Sequence, residues 1–261
     1  MKKWNEIKEM LKKQNNLILA VCGLLLMVVF IAFAERHGKE STCHKIEVEI
    51  ANPELRFVSE DMIHSIITDQ NFDSPVSRKL SQIELERLEE KLKENAFVRD
   101  AQVYTTLHGE LRARVEQRQP LLRIWSKSGQ GYYIDRNGMK MPLNPKYSAR
   151  VLLATGHIEE GLGKDDSVRT ELVQDLYRLA LYLEDHAFYN ALTGHVQVDA
   201  NRELMIIPRV GRHEVLFGSF DDLDEKFGRL SIFYREALPK EGWDTYRMIN
   251  VKYKDQIIAN R

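Results

Sequence analysis

The sequence predicts an α+β protein in three parts: an N-terminal transmembrane helix, a small module in the order strand-helix-helix-strand-strand, and a mostly antiparallel β domain with two helices. Three observations predict it. An uncharged apolar run stands near the N-terminus, alternating strand patterns then bracket two helical patterns, and beyond Pro120 short strand patterns separated by turn signals dominate. The boundaries that follow are a tail over 1–16, the helix over 17–34, a polar linker over 35–42, the module over 43–119 and the β domain over 120–261.

Leu17 to Ala34 is a run of 18 residues without a charge. As a helix it is about 27 Å long, close to the roughly 30 Å hydrocarbon core of a bilayer. Lys2, Lys3, Lys8, Lys12 and Lys13 precede it against Glu6 and Glu9, while Glu35, Arg36, Lys39 and Glu40 follow. This lysine excess places the N-terminus in the cytoplasm and the rest of the chain outside. Ala32-Phe33-Ala34 resembles a signal-peptide cleavage site, but the apolar run exceeds the usual 7 to 15 or so residues and the leading segment is long, which favours a retained anchor. With 43% hydrophobic and 30% charged residues, the remainder reads as a folded ectodomain and not as a polytopic membrane protein. The net charge of −1 gives no whole-chain attraction to nucleic acid. Cys22 lies in the apolar run, so the exported region holds only Cys43 and forms no internal disulfide.

In the module, Ile46, Val48 and Ile50 alternate with polar residues as a strand. Ser59 is placed to cap a helix beginning Glu60-Asp61, with Met62, Ile63, Ile66 and Ile67 on one face. Ser81-Gln82-Ile83-Glu84 reads as a capping box for a second helix, with Leu80 stapled to Leu85 and a stripe of Leu85, Leu88 and Leu92. Strands are expected over Ala101 to Thr105 and Glu110 to Glu116, joined tightly at His108-Gly109. Both helices then cover one face of the sheet.

Past Pro120, Gly131 to Asp135 is a strand running into the turn Asp135-Arg136-Asn137-Gly138, and Val151 to Thr155 is another. A helix opens near Asp165-Asp166-Ser167 with Leu172, Leu176, Leu179 and Leu183 at helical spacing. Strands follow at His195 to Val198, Glu203 to Ile207 and Glu214 to Phe217. Asp221 or Asp222 caps a helix bearing Leu223, Phe227, Leu230 and Tyr234. A strand from about Arg247 to Tyr253, a turn at Lys254-Asp255 and Ile257-Ile258 end the chain.

No motif in the chain carries catalytic chemistry. The eight histidines are scattered without metal-ligand spacing, and there is no P-loop, GxSxG elbow or GxGxxG. Asp221-Asp222-Leu223-Asp224-Glu225 is read as a helix start favoured by the dipole and not as a cation site. His157 and His195 are read as non-catalytic, and the Gly129-Gln130-Gly131 and Gly161-Leu162-Gly163 segments as turns.

Asn95-Ala96-Phe97-Val98-Arg99-Asp100-Ala101-Gln102-Val103-Tyr104, then Gly109 to Pro120 (GELRARVEQRQP), resembles the POTRA-domain signature of the FtsQ/DivIB cell-division family. So does Tyr133-Ile134-Asp135-Arg136-Asn137-Gly138. Met141-Pro142-Leu143, Tyr147 to Val151 and the ending Ile249-Asn250-Val251-Lys252-Tyr253-Lys254-Asp255-Gln256-Ile257 are similar to the Bacteroidetes branch. The resemblance covers nearly the whole chain in family order behind one anchor. It departs at Leu121-Leu122-Arg123, where many relatives carry smaller residues before Trp125.

The resemblance implies a bitopic scaffold in the inner membrane at the division site: single-pass, type II, with the C-terminal region in the periplasm. It implies the coiled-coil proteins FtsB and FtsL as partners, a hand in septal peptidoglycan synthesis, no catalysis, no cofactor, no metal, and neither nucleic acid nor a small-molecule substrate. The partner site it implies is the last strand: Ile249, Asn250, Val251, Lys252 and Tyr253. A terminal strand offers a backbone edge to another chain. Alternation puts Ile249, Val251 and Tyr253 on one face, and Asn250, Lys252 and Lys254 on the other. Two rival classes are a signal-anchored exported cell-wall enzyme, which needs clustered catalytic residues, and a POTRA-bearing export or outer-membrane assembly factor, which needs repeated modules or a barrel.

Overall fold

The computed structural model describes residues 24–29, 42–68, 74–106, 108–163 and 167–261. The anchor expected over 17–34 lies outside the described residues except for 24–29, which are helical. Among the described residues, no helix is long and apolar enough to cross a membrane. The chain divides into two compact units, one reaching through Ala51 and resuming over Val58–Glu116, the other made of Asn52–Phe57 and Gln117–Arg261.

The first unit is built from β1 (Lys45–Ile50), α1 (Glu60–Ile67), α2 (Leu85–Lys93), β2 (Val98–Thr105) and β3 (Glu110–Gln117). The sheet order is β1-β3-β2, and β1 runs parallel to β3 with Ile46, Val48 and Ile50 opposite Leu111, Ala113 and Val115. Parallel neighbours need a long crossover, which the two helices and β2 supply. Ser59 caps α1 as expected, its Oγ accepting the Met62 N–H at 3.2 Å. Ile63 and Ile67 are buried, as are Leu88 and Leu92 of α2. At the β2–β3 connection Gly109 has φ +83°, and a Cβ there would come within 2.8 Å of the Thr42 carbonyl oxygen, so only glycine fits the turn.

The capping box expected at Ser81 does not form. Ser81 sits inside a 3-10 turn, Leu80–Gln82, which ends on an extended Ile83; α2 begins only at Leu85, behind Glu84, with no side-chain cap. Burial of Leu80 draws the turn into the core and commits Ser81 to it. Ser81→Ala should therefore change stability by less than about 0.5 kcal/mol, whereas Ser59→Ala should cost about 0.5 to 2 kcal/mol in urea unfolding. Equal effects would return the cap to Ser81.

In the second unit the described strands form one sheet in the order β12-β11-β10-β9-β8-β7-β4-β5-β6. They are β4 (Pro120–Trp125), β5 (Gly131–Asp135), β6 (Lys140–Pro142), β7 (Leu152–Gly156), β8 (Thr193–Val198), β9 (Leu204–Pro208), β10 (Glu214–Gly218), β11 (Met248–Asn250) and β12 (Ile258–Asn260). Pairing is mostly antiparallel, but β4–β7, β7–β8 and β10–β11 are parallel. The last two junctions are where the helices enter: α3 (Glu171–Asp185) and α4 (Ala187–Leu192) cross from β7 to β8, while α5 (Leu223–Glu236) and α6 (Leu238–Glu241) cross from β10 to β11. Leu172, Leu176, Leu179 and Leu183 of α3 and Phe227, Leu230 and Tyr234 of α5 join one core with Ile124, Ile134, Val196, Ile206, Val215 and Ile249 of the sheet.

Two helix starts differ from expectation. Asp165 and Asp166 lie outside the described residues, and α3 opens later, at Glu171. The Arg169 and Thr170 N–H groups before it donate to the Glu160 carboxylate at 2.9 and 2.8 Å, so the acceptor for this helix start comes from earlier in the segment that follows β7. Asp222 does precede α5, but in a left-handed conformation (φ 53°) and with no side-chain cap bond.

Charge is buried beside α3. Lys140 Nζ lies 2.7 Å from Glu160 Oε1, with side chains 3% and 7% exposed. Burial alone would raise the Glu160 carboxyl; the Lys140 ammonium, the Thr170 hydroxyl and the two backbone N–H groups outweigh it and hold the group below the usual carboxylate range. Arg118 Nε meets Asp135 Oδ2 at 2.7 Å and Arg118 Nη2 donates to the Lys140 carbonyl at 2.9 Å, so β6 is anchored by charge at both its backbone and its lysine tip.

Candidate functional site

The C-terminal segment is shaped by three backbone events. β11 runs parallel to β10, with Val215 opposite Ile249 and Leu216 opposite Asn250. The Val251 N–H donates to the Leu216 carbonyl at 3.0 Å, one residue past the strand. The Lys252 N–H then turns to the Asn250 side-chain oxygen at 2.9 Å, a local bond that competes with the ladder and ends it. The chain reverses at Asp255 (φ 56°) and returns as β12, antiparallel to β11 with Ile249 opposite Ala259 and Asn250 opposite Ile258.

The expected strand over Arg247 to Tyr253 is thus cut to Met248–Asn250, and it is not the edge. β11 is paired on both sides, and the outermost strand is β12. Ile249 and Val251 are fully buried, so their side chains belong to the core. Asn250 is half-buried, with its side chain used in the turn. Tyr253 stands 49% exposed, and Ile258 of β12 is exposed with it. Lys252 does not point free into solvent as alternation suggests: its ammonium pairs with Glu203 and lies 6.0 Å from the Tyr253 ring centre. The Glu203 pair raises the Lys252 pKa above its ordinary value.

Lys252 and Tyr253 border a cleft of about 810 Å³ at the ends of β8, β10 and β11. Its acids are Glu171, Asp175, Glu203 and Asp221, and its bases Arg178, Arg202 and Lys252. Each base has an acid beside it: Arg178 pairs with Asp175, Arg202 Nη1 lies 3.6 Å from Glu171, and Lys252 pairs with Glu203. The rim is therefore ion-paired around Phe220, Leu223 and Tyr253 and exerts no net pull on an anion. Among the described residues, no three His, Cys, Asp or Glu side chains are grouped to hold a metal ion.

Sequence reasoning missed Ile258 as the exposed edge residue, Glu203 as the partner of Lys252, and Arg229, whose Nη2 donates to the Val251 carbonyl at 2.9 Å. The sequence did carry a signal for the first, the apolar pair Ile257-Ile258 after a turn. It carried none for the other two, which reach the segment from other strands and helices.

Residues 41–116 match the model of the POTRA-like domain, and residues 119–260, more than half of the chain, match the model described as FtsQ/DivIB, C-terminal related. The chain belongs to the FtsQ/DivIB family. No curated protein matches it. Members of the FtsQ/DivIB family are division-site membrane proteins that serve as non-enzymatic cell-division scaffolds, with divisome proteins as partners.

Proposed function

We propose that this chain is a single-pass inner-membrane scaffold, anchored through 17–34 with its C-terminal region in the periplasm, that recruits FtsB and with it FtsL to the septum and so takes part in controlling septal peptidoglycan synthesis. The observation that carries this reading is the edge of the large sheet: β12 is outermost, Ile258 on it is exposed, and Tyr253, in the connection that leads into it, is exposed as well. A partner strand laid along β12 extends the ladder and gains backbone hydrogen bonds, while an aromatic ring at the rim supplies side-chain specificity. Nothing in this mode needs a deep pocket.

Tyr253→Ala should weaken FtsB binding by about 2 kcal/mol or more, roughly thirtyfold, in a calorimetric titration, with the unfolding midpoint unchanged. The ring is half exposed, so its removal opens no cavity. The broader reading is tested by imaging a fluorescent fusion and crosslinking at Tyr253. A midcell band with FtsB among the crosslinked neighbours is the expected result. A uniform membrane signal without divisome neighbours would overturn it.

A further inference from the structure

We infer that Glu203 is the positioning residue of the partner-binding segment, and that Lys252 acts in partner binding through Glu203 and not by touching the partner. The inference rests on the reading that a partner docks along β12 and Tyr253.

Glu203 precedes β9 and is fixed by the turn before it. The Asp199 carboxylate accepts the N–H groups of Asn201 and Glu203, each at 2.8 Å, and Arg202 takes φ 64° to close the turn. Lys252 follows β11, two strands away in the sheet order. Between them lies the end of β10, where the register shifts and Gly218 adopts φ +78°. A Cβ on Gly218 would come within 2.7 Å of Lys252 Cγ. The missing side chain is the room through which the lysine stem lies across the backbone of β10 to reach Glu203.

The result is a brace over the ends of three strands. Exposed ion pairs contribute little to stability by themselves, because two long side chains must be ordered to make them. Here the lysine stem is already confined against Gly218 and the glutamate by its turn, so the contact mainly restrains the backbone at Lys252. Tyr253 is the next residue, and the ammonium also lies near its ring. The other side-chain ion pair from this turn, Lys254 to Asp222, is longer at 3.7 Å and more exposed. With Glu203 beside it, Lys252 offers no unpaired charge to an incoming carboxylate.

The test uses the full chain, FtsB as the probe, and two readouts: FtsB affinity, and hydrogen exchange of the amides from Asn250 to Asn260 in the free protein. Lys252→Glu sets two carboxylates against each other; it should speed exchange and weaken binding about tenfold, a coupling of the size seen between contacting residues. Glu203→Lys should do the same. The double variant Lys252→Glu with Glu203→Lys rebuilds the pair in reverse and should restore both readouts to within about twofold of wild type. Glu203→Gln should weaken binding, although it frees the lysine. If the double variant regains slow exchange but binds as poorly as Lys252→Glu, Lys252 meets the partner directly and the inference fails. Unchanged exchange in Lys252→Glu also sinks it. A wild-type chain that does not bind FtsB, with exchange following the pattern above, would instead overturn the partner reading alone.

Discussion

Lys140→Met should destabilise the second unit by about 3 to 5 kcal/mol. The variant leaves the Glu160 carboxylate, 7% exposed, beside a methyl group and without its counter-charge. Its remaining donors, the N–H groups of Arg169 and Thr170 and the Thr170 hydroxyl, satisfy lone pairs but do not neutralise the charge. Adding Glu160→Gln should recover part of the loss, since it removes the buried charge and its amide oxygen still accepts from Thr170, although the amide NH2 cannot accept the Arg169 N–H. The pair also sets an acid response. The Glu160 pKa is lowered in the folded chain, so its contribution is complete above the unfolded value of about 4.3 and is lost as pH falls through the lower folded value. The double variant should lose less stability than wild type across that acid window. Urea unfolding followed by the fluorescence of Trp125 and Trp243 reads both effects. A loss below about 1 kcal/mol would mean that water reaches the pair.

Removing residues 258–261 should abolish FtsB binding while the unit stays folded. A cut after Arg247 is not a clean test, because it also removes the fully buried Ile249 and Val251 from the core. β12, by contrast, is three residues long with an exposed, a half-buried and an exposed side chain, so its loss costs little packing. What disappears is the outer ladder of the sheet and Ile258, and with them the register in which a partner strand would lie. Binding below detection in a titration, with a near-native circular dichroism spectrum and a midpoint shifted by only a few degrees, is the expected result. Binding kept or tightened would show instead that β12 occupies the place a partner strand takes.

Elements whose signal is local were legible in the sequence. Ser59 ahead of Met62, Ile63, Ile66 and Ile67 marks a helix start because the cap and the face lie within two turns. The strands of β8, β9 and β10 follow from alternation alone. Alternation gives a period and not a neighbour, so the parallel junctions β4–β7 and β7–β8 could not be read from it. β4 itself was hidden: Leu121 and Leu122 are consecutive and both buried, which breaks the alternation, and the register shift between Pro120 and Leu122 accommodates them. At the site, Tyr253 was legible as an aromatic near a terminal strand, and Lys252 was expected to point outward to a partner, whereas it pairs with Glu203 within the chain. Its Glu203 partner is 49 positions away, beyond any spacing rule, and Gly218 reads in sequence as an ordinary turn residue.

From β7 onward the sheet order follows the chain, β7, β8, β9, β10, β11, β12, each strand added outside the one before. Synthesis runs in the same direction, and early segments fold first. The outer ladder is therefore the last to form, after β7 to β11 are seated. On the proposed reading, a partner strand that pairs with β12 would find its edge only on a sheet already assembled through β11.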